Sequence, residues 1–211
     1  MPRKNLIRQS QYPYHIVSRS NNKNWFQLPM QHVWTLFLDS LNESNRKFPA
    51  SIFCYVLMAN HYHLLIQTPD ENIDEFMGHF NKRFSQKMRF FSKQINHKFA
   101  NRYKWTIINH PRYLNNVYRY IYQNPIRAGV STTCLEYPYT SLNAPLKVKK
   151  FHSIAHLEYE ENKLWFEKIM CEEKNIALKK ALGRTIFHFP VKTRKGVIIE
   201  LENERLTSKI S

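Results

Sequence analysis

Residues 56–67 read VLMANHYHLLIQ, a pattern that predicts the end of one strand, a tight turn and a second strand. Side chains in a strand alternate between its two faces, so His61 and His63 should project together while Leu64 and Ile66 face a core. Two imidazoles on one face can hold a divalent metal ion and leave coordination positions open for a third ligand and a substrate oxygen. The same pattern fits two ordinary histidines on a half-buried strand, so the metal hypothesis needs a partner.

The partner lies in residues 111–125, PRYLNNVYRYIYQNP, which predict an amphipathic helix. Tyr120 and Asn124 are four residues apart, so they should lie one above the other on the same side of this helix. Because Asn124 immediately precedes Pro125, the helix should break or kink there. A break at that point would expose the amide of Asn124 to a metal ion.

Four segments together resemble a known family, the HUH single-tyrosine transposases, and within it the REP-associated tyrosine transposases of bacterial chromosomes. The resemblance covers residues 10–142. It is carried by YHIVSR at residues 14–19, MANHYH at 58–63, NRYK at 101–104 and RYIYQNPIRAG at 119–129. The order and spacing of these segments are fairly specific to the family.

The resemblance implies a fold, a reaction and a set of site residues. His61, His63 and Asn124 would be ligands of Mg²⁺ or Mn²⁺, and Tyr120 would be the nucleophile. The reaction would cleave single-stranded DNA beside hairpin (palindromic) ends, leave a 5′-phosphotyrosine and a free 3′ hydroxyl, and rejoin strands without ATP. Tyr62, at the middle position of the histidine motif, would point away from the metal.

Other tyrosines on the same helix compete for the role of nucleophile. Tyr113, Tyr118 and Tyr122 accompany Tyr120, and an aromatic residue on a helix more often packs than reacts. Only Tyr120 has an asparagine four residues later, while Tyr118 and Tyr122 share the apolar side and are expected to pack. Tyr122 remains the alternative nucleophile.

The charge of the chain points to a nucleic-acid partner independently of these motifs. Its 211 residues carry 32 Lys and Arg against 16 Asp and Glu, a formal net charge of +16 and a pI near 9.8. A strongly basic domain is the electrostatic footprint of phosphate binding, although a basic protein without such a role is also possible. The candidate DNA-binding residues are Arg19, Lys82, Arg83, Lys87, Arg89, Arg102, Lys104, Arg119 and Arg127.

The order of predicted elements is typical of an α+β fold. Strands are expected at residues 14–19, 51–58, 61–67 and 103–108, and helices at 28–41 and 73–94, before the tyrosine helix. This order predicts a ferredoxin-like antiparallel sheet with helices on one face, plus a C-terminal catalytic-tyrosine helix. We expect residues 1–142 to form the catalytic domain, and residues 143–211 a linker and a mostly helical extension with a possible DNA-binding role.

Several negative features limit the function classes. The sequence shows no signal peptide and no apolar run long enough to span a membrane, which predicts a cytoplasmic, nucleoid-associated protein. Three scattered cysteines indicate neither a disulfide framework nor a zinc knuckle. The oligomeric state stays open between monomer and homodimer. Two other functions also stay open: a non-catalytic nucleic-acid-binding ferredoxin-like module, and an HUH replication initiator or relaxase.

DNA binding should weaken steeply as salt is added, because binding releases the counterions condensed on each contacted phosphate. For six or more phosphate contacts, the loss of affinity between low and moderate salt is on the order of a thousandfold. Fluorescence anisotropy of labelled single-stranded DNA at increasing salt measures this dependence. A flat response would contradict the assignment of the basic residues to phosphate contacts.

Overall fold

A four-stranded antiparallel sheet forms the centre of the protein. The computed structural model describes residues 5–93, 99, 102–144, 162–182, 186, 190–192 and 198–200. The strands are β1 (Tyr14–Arg19), β2 (Ser51–Leu57), β3 (His61–Gln67) and β4 (Lys104–Ile107), in the spatial order β2-β3-β1-β4. This order and the helices below confirm the predicted α+β fold class.

Helices cover both faces of the sheet. Helices α1 (Met30–Lys47) and α2 (Ile73–Ser92) pack together on one face over an apolar core that includes Phe37, Phe80 and Leu64. Helix α3 (Pro111–Tyr122) packs on the opposite face through a second core that includes Val117, Ile121 and Leu65. The sheet therefore separates the main hydrophobic core from the layer that carries the tyrosine helix.

The alternation of β3 places its two kinds of side chain in different layers. Tyr62, Leu64 and Ile66 are buried in the core under α1 and α2. His63 and Leu65 lie on the other face, toward α3. The phenol of Tyr62 donates a hydrogen bond to Oδ1 of Asn81 at 2.7 Å, so this bulky residue lies on the side away from the histidine pair, as predicted.

Main-chain groups on the outer edge of strand β2 are hydrogen-bonded to a later segment of the chain. The main-chain N–H of Leu57 donates to the carbonyl of Tyr139, and that of Ser141 donates to the carbonyl of Tyr55, both at 2.9 Å. Covering an edge in this way prevents its free N–H and C=O groups from pairing with another chain. The same contacts fix the chain that follows the tyrosine helix to the sheet.

The tyrosine helix ends where the sequence predicted a break. Helix α3 stops at Tyr122, and a short helix α4 (Asn124–Arg127) follows, with Pro125 in its first turn. Proline is tolerated there because an N–H in the first turn has no partner inside the helix. The prediction of helix α1 was less accurate, because the observed helix starts at Met30 and continues to Lys47.

The described part of the extension adds α5 (Lys163–Glu167), α6 (Glu172–Ala181) and an antiparallel pair β5 (Pro190–Lys192) and β6 (Ile198–Glu200). Residues 145–161 and most residues after 182 lie outside the described part, so the division at residue 142 stays a prediction. None of the helices in the described ranges is both long enough and apolar enough to cross a membrane.

Phe37 lies at the centre of the main core, where its ring contacts Trp34, Tyr55, Tyr62, Phe80 and Phe84. Phe37→Ala should lower the free energy of unfolding by about 3–5 kcal/mol, because it removes buried apolar surface and leaves a cavity. Urea denaturation followed by circular dichroism measures this change. Phe90, which is 77% exposed, is the matched control: Phe90→Ala should change stability by less than about 0.5 kcal/mol, and equal losses in the two variants would contradict this account of the core.

Candidate functional site

Strand β3 holds the two predicted histidines on the face that points toward α3. His63 is buried and His61 is half-buried. Their ring centroids are 5.3 Å apart. His61 Nδ1 lies 2.7 Å from Oδ1 of Asn60, in the turn between β2 and β3. The turn residue therefore fixes the ring of His61 from one side.

The end of the tyrosine helix brings the other two predicted residues to the same place. The ring centroid of Tyr120 lies 5.7 Å from that of His63. Nδ2 of Asn124 lies 2.9 Å from Nε2 of His63, and Asn124 lines the same cleft as His61. One chain thus brings all four residues that the sequence singled out to one cleft, with the amide of Asn124 against the His63 ring.

Burial keeps the histidines of this site uncharged at neutral pH. It lowers the pKa of His61 to about 4, and the positive charge of Arg19 adds to this effect. Burial, with the neighbouring histidines, lowers the pKa of His63 well below its ordinary value. Behind His63, burial lowers the pKa of His15 to about 3. Neutral imidazoles keep a ring nitrogen lone pair available.

This donor set fits a divalent cation. Two imidazole nitrogens and an amide converge, and an asparagine amide can present either its nitrogen or its oxygen, since the two are assigned from the hydrogen-bond network. Within the described residues, no group of three His, Cys, Asp or Glu is arranged to hold a metal ion. A third protein ligand for such an ion would therefore be the amide of Asn124, and these three side chains would form a neutral site.

Arg127 lies against the candidate nucleophile. Its guanidinium carbon is 3.9 Å from the centroid of the Tyr120 ring. The guanidinium donates to the Tyr120 carbonyl at 3.2 Å and to Oδ1 of Asn175 at 2.6 Å. Burial lowers the pKa of Arg127, while Tyr120 opposes that shift. These hydrogen bonds go to neutral oxygens, which leaves the positive charge available to a phosphate.

The site opens into a cleft of about 740 Å³. His61, His63, Tyr120 and Asn124 all line it. Helix α6 forms one wall, so the extension contributes directly to the site. The cationic residues that line the cleft are Arg19, Lys23, Arg102, Lys104, Arg127 and Lys179. A positively charged cleft of this kind can follow a phosphate backbone.

The nine candidate DNA-binding residues fall into three groups. Arg19, Arg102, Lys104 and Arg127 line the cleft. Lys82, Arg83, Lys87 and Arg89 lie on α2, which packs on the other face of the sheet.

Two residues of the α2 group already have acidic partners, since Arg83 and Lys87 form ion pairs with Glu43 at 2.7 and 2.8 Å. Arg119, the ninth candidate, is only 6% exposed and donates to the carbonyl of Lys168. A role of these residues in DNA binding stays a prediction.

The competing tyrosines lie elsewhere. Tyr122 is fully buried, and its hydroxyl is 3.0 Å from Oγ of Ser141. Burial raises the pKa of this phenol well above its ordinary value. Tyr118 is buried and stacks on Tyr122 with ring centroids 6.4 Å apart, and Tyr113 packs on His110. Of the four tyrosines on α3, only Tyr120 lines the cleft.

Two residues at the site, His15 and Gln123, were not predicted from the sequence. His15 lies 3.0 Å from His63, and the alternation of Tyr14, His15 and Ile16 carried the signal that it faces away from the main core. Gln123 bonds to main-chain atoms of Phe166, Lys168 and Met170. No local pattern marks that contact, because its partners lie more than forty residues further along the chain.

The sequence of this chain matches one known family model. The family model described as "Transposase IS200 like" matches residues 8–124, more than half of the chain, and the matched range ends at Asn124. The chain belongs to the IS200-like transposase family. The matched range of this transposase contains His61, His63, Tyr120 and Asn124, whereas Arg127 and helix α6 lie beyond it.

A solved structure confirms the fold of the transposase. The structure described as "Structure of the REP associates tyrosine transposase bound to a REP hairpin" aligns with a TM-score of 0.57 and 16% sequence identity. The alignment covers 67% of this chain and 82% of that chain. No curated protein sequence matches the transposase.

The transposase should lose stability as the pH falls below the ordinary histidine value of 6.5. His61 and His15 have folded pKa values of about 4 and 3, so the unfolded chain binds more protons than the folded chain between those values and 6.5. Stability is therefore complete above pH 6.5 and falls as the pH drops through this window, by up to about 1.4 kcal/mol per pH unit for each such histidine.

Urea denaturation of the metal-free protein at pH 7.5, 6.5 and 5.5 measures this loss. His61→Gln should reduce its slope, because one of the titrating groups is gone. His32→Gln, on α1 at the opposite face of the sheet, is the control for the loss of a histidine outside the site. A free energy of unfolding that stays constant from pH 7.5 to 5.5 would show that these imidazoles are not held uncharged.

Proposed function

We propose that this transposase cleaves and rejoins single-stranded DNA beside hairpins through a 5′-phosphotyrosine formed on Tyr120. The observation that carries the proposal is the 2.9 Å contact between Asn124 and His63. Asn124 follows Tyr120 by four residues, across the break between α3 and α4, and the ring centroid of Tyr120 lies 5.7 Å from that of His63, so this contact holds the phenol beside the histidine pair. A candidate nucleophile and a candidate metal site thus meet in a positively charged cleft, which is the arrangement a phosphoryl transfer requires.

His61, His63 and Asn124 would hold Mg²⁺ or Mn²⁺. When bound, such an ion would polarise the phosphodiester and neutralise the charge that develops on its oxygens. The protein ligands are two uncharged imidazoles and an amide, so they leave the charge of the ion undiminished for an anionic substrate. Asn60 supports this role because it fixes the ring of His61.

The proposed cleavage step exchanges one phosphate ester for another. The Tyr120 hydroxyl oxygen forms a bond to phosphorus, and the bond from phosphorus to the 3′ oxygen of the preceding nucleotide breaks. The phenol loses one proton and the departing 3′ oxygen gains one, so the step is balanced. Because the phosphotyrosine conserves the ester, a 3′ hydroxyl from another DNA end can attack it and rejoin the strands without ATP.

Arg127 is the cationic residue best placed to act on the reacting groups. Its guanidinium lies over the Tyr120 ring and lines the cleft, where it would bind the phosphate and stabilise negative charge on the phenolic oxygen. Arg19, Arg102 and Lys104 would bind the phosphates on either side of the scissile bond. Binding along a charged cleft does not depend on base sequence, so target choice needs a further element.

A DNA hairpin is the substrate element that we propose for target choice. The structure of the REP-associated tyrosine transposase is described as bound to a REP hairpin, and its fold is similar to that of this chain. Tyr120 and the histidine pair come from one chain here, so a single copy contains a complete candidate site. We therefore propose that the transposase acts as a monomer, with a homodimer as the alternative.

The decisive experiment compares Tyr120→Phe with Tyr122→Phe. Each substitution removes one hydroxyl from the same helix, but only the Tyr120 side chain lines the cleft. Purified wild-type protein incubated with labelled, hairpin-bearing single-stranded DNA and Mn²⁺ should form a covalent complex on a denaturing gel. Tyr120→Phe should lose this complex while its DNA affinity changes by less than about threefold, because only the nucleophilic oxygen is missing.

Tyr122→Phe is the control and should still form the covalent complex. A complex that disappears in Tyr122→Phe and persists in Tyr120→Phe would move the nucleophile to Tyr122. A chelator should abolish the complex in every active variant, and activity that resists chelation would contradict the metal site. Binding without any adduct, across a broad pool of hairpin oligonucleotides, would favour a non-catalytic DNA-binding module.

A further inference from the structure

His15 is a buried histidine that lies directly behind the candidate metal site and has no role in the mechanism above. It belongs to β1, pairs across the strands with Leu65, and is 1% exposed. Its Nε2 lies 3.0 Å from Nδ1 of His63, and the two ring planes are inclined by only 23° with centroids 5.3 Å apart. Because His63 is one of the proposed ligands, this contact bears on the site itself.

The two nitrogens of His63 face different partners. Nδ1 faces His15, whereas Nε2 faces the amide of Asn124 at the cleft. A neutral imidazole carries one hydrogen and one lone pair, and only the nitrogen with the lone pair can bind a metal ion. If His63 is to offer Nε2 to the cleft, its hydrogen must lie on Nδ1 and must be donated to His15 Nε2.

We propose that His15 is a positioning residue that accepts this hydrogen bond and so keeps Nε2 of His63 open for the metal ion. The proposal rests on the proposed metal site. It requires His15 to carry its own hydrogen on Nδ1, which leaves Nε2 as the acceptor. If both histidines instead carried their hydrogen on Nε2, His63 Nε2 would have no lone pair with which to bind the metal ion.

The use of a histidine as acceptor has an electrostatic consequence. Metal-bound histidines usually donate their second N–H to a carboxylate, a carbonyl or water. Among the described residues, no carboxylate hydrogen-bonds to His15 or His63. An imidazole accepts the hydrogen bond without adding negative charge, so the site stays attractive to the phosphodiester.

His15 also contacts Tyr120 edge to face, with ring centroids 5.8 Å apart, so its role as acceptor must be separated from its role in packing. His15→Phe keeps an aromatic ring but removes the acceptor. His15→Gln loses the ring but can place an amide oxygen near the position of Nε2. His32→Phe, on α1 at the opposite face of the sheet, is the matched control.

Binding of Mn²⁺ without DNA, followed by the electron paramagnetic resonance signal of the free ion, measures the effect apart from catalysis. His15→Phe should weaken binding by about 10–100-fold, as losses of such supporting hydrogen bonds do. His15→Gln should stay within about threefold of the wild type, and His32→Phe should match it. Wild-type affinity in His15→Phe, or equal losses in His15→Phe and His15→Gln, would overturn the proposal.

A second measurement needs no variant and no metal. Nitrogen-15 NMR of the histidine rings in the metal-free wild type should show the His63 hydrogen on Nδ1 and a lone pair on Nε2. A hydrogen on Nε2 would overturn the role of His15 even if the transposase binds Mn²⁺. A protein that shows the expected tautomer but binds no Mn²⁺ would contradict the metal site of the proposed function, and would leave the His15 hydrogen bond established.

Discussion

The site depends on one constraint, the two-residue repeat of β3. Its even-numbered residues Tyr62, Leu64 and Ile66 fill the main core, and that burial fixes which face the odd-numbered histidines occupy. A shift of one residue in the register would exchange the two sets and place His63 in an apolar core. Burial of the apolar residues of β3 therefore orients its histidines. The same free energy that stabilises the sheet also determines the position of the site.

The tyrosine helix α3 is positioned both by apolar packing and by a polar contact at its end. Tyr120 reaches the histidines because α3 packs through Val117 and Ile121, but its final approach is set by Asn124 at the helix break. The proline after Asn124 ends the regular hydrogen bonding of α3 and allows a second short helix to begin. One dipeptide thus determines both where the helix stops and where the amide lies.

The strands and the candidate site could be read from the sequence because their signals are local. The bounds of β1 and β3 agree with the alternation of apolar residues, and the spacing of Tyr120 and Asn124 identified a pair that the fold brings to His63. His15 could have been assigned to the same face as His63, but not to the adjacent strand. Strand order is set by pairing between distant segments, so only the structure shows that β1 lies beside β3.

The packing of the extension against the catalytic domain could not be predicted for the same reason. Residues 164–182 have a helical spacing, yet the structure divides them into α5 and α6, with the chain between them bonded to Gln123. Arg127 likewise gains its partner Asn175 only through this long-range packing. The residues of α6 that line the cleft lie far along the chain from Tyr120. No local pattern in the sequence therefore indicates that they form one of its walls.

The hydrogen bonds of Gln123 affect how far the sequence of the extension can vary during evolution. Within the described part of the chain, its amide bonds only to main-chain atoms of residues 166, 168 and 170. Every amino acid supplies the same carbonyl, and every amino acid except proline supplies the same N–H. The side chains of this stretch can therefore be replaced widely while the wall of the cleft keeps its attachment, so natural variation in the extension can alter the shape of the cleft without detaching it from the helix that carries Tyr120.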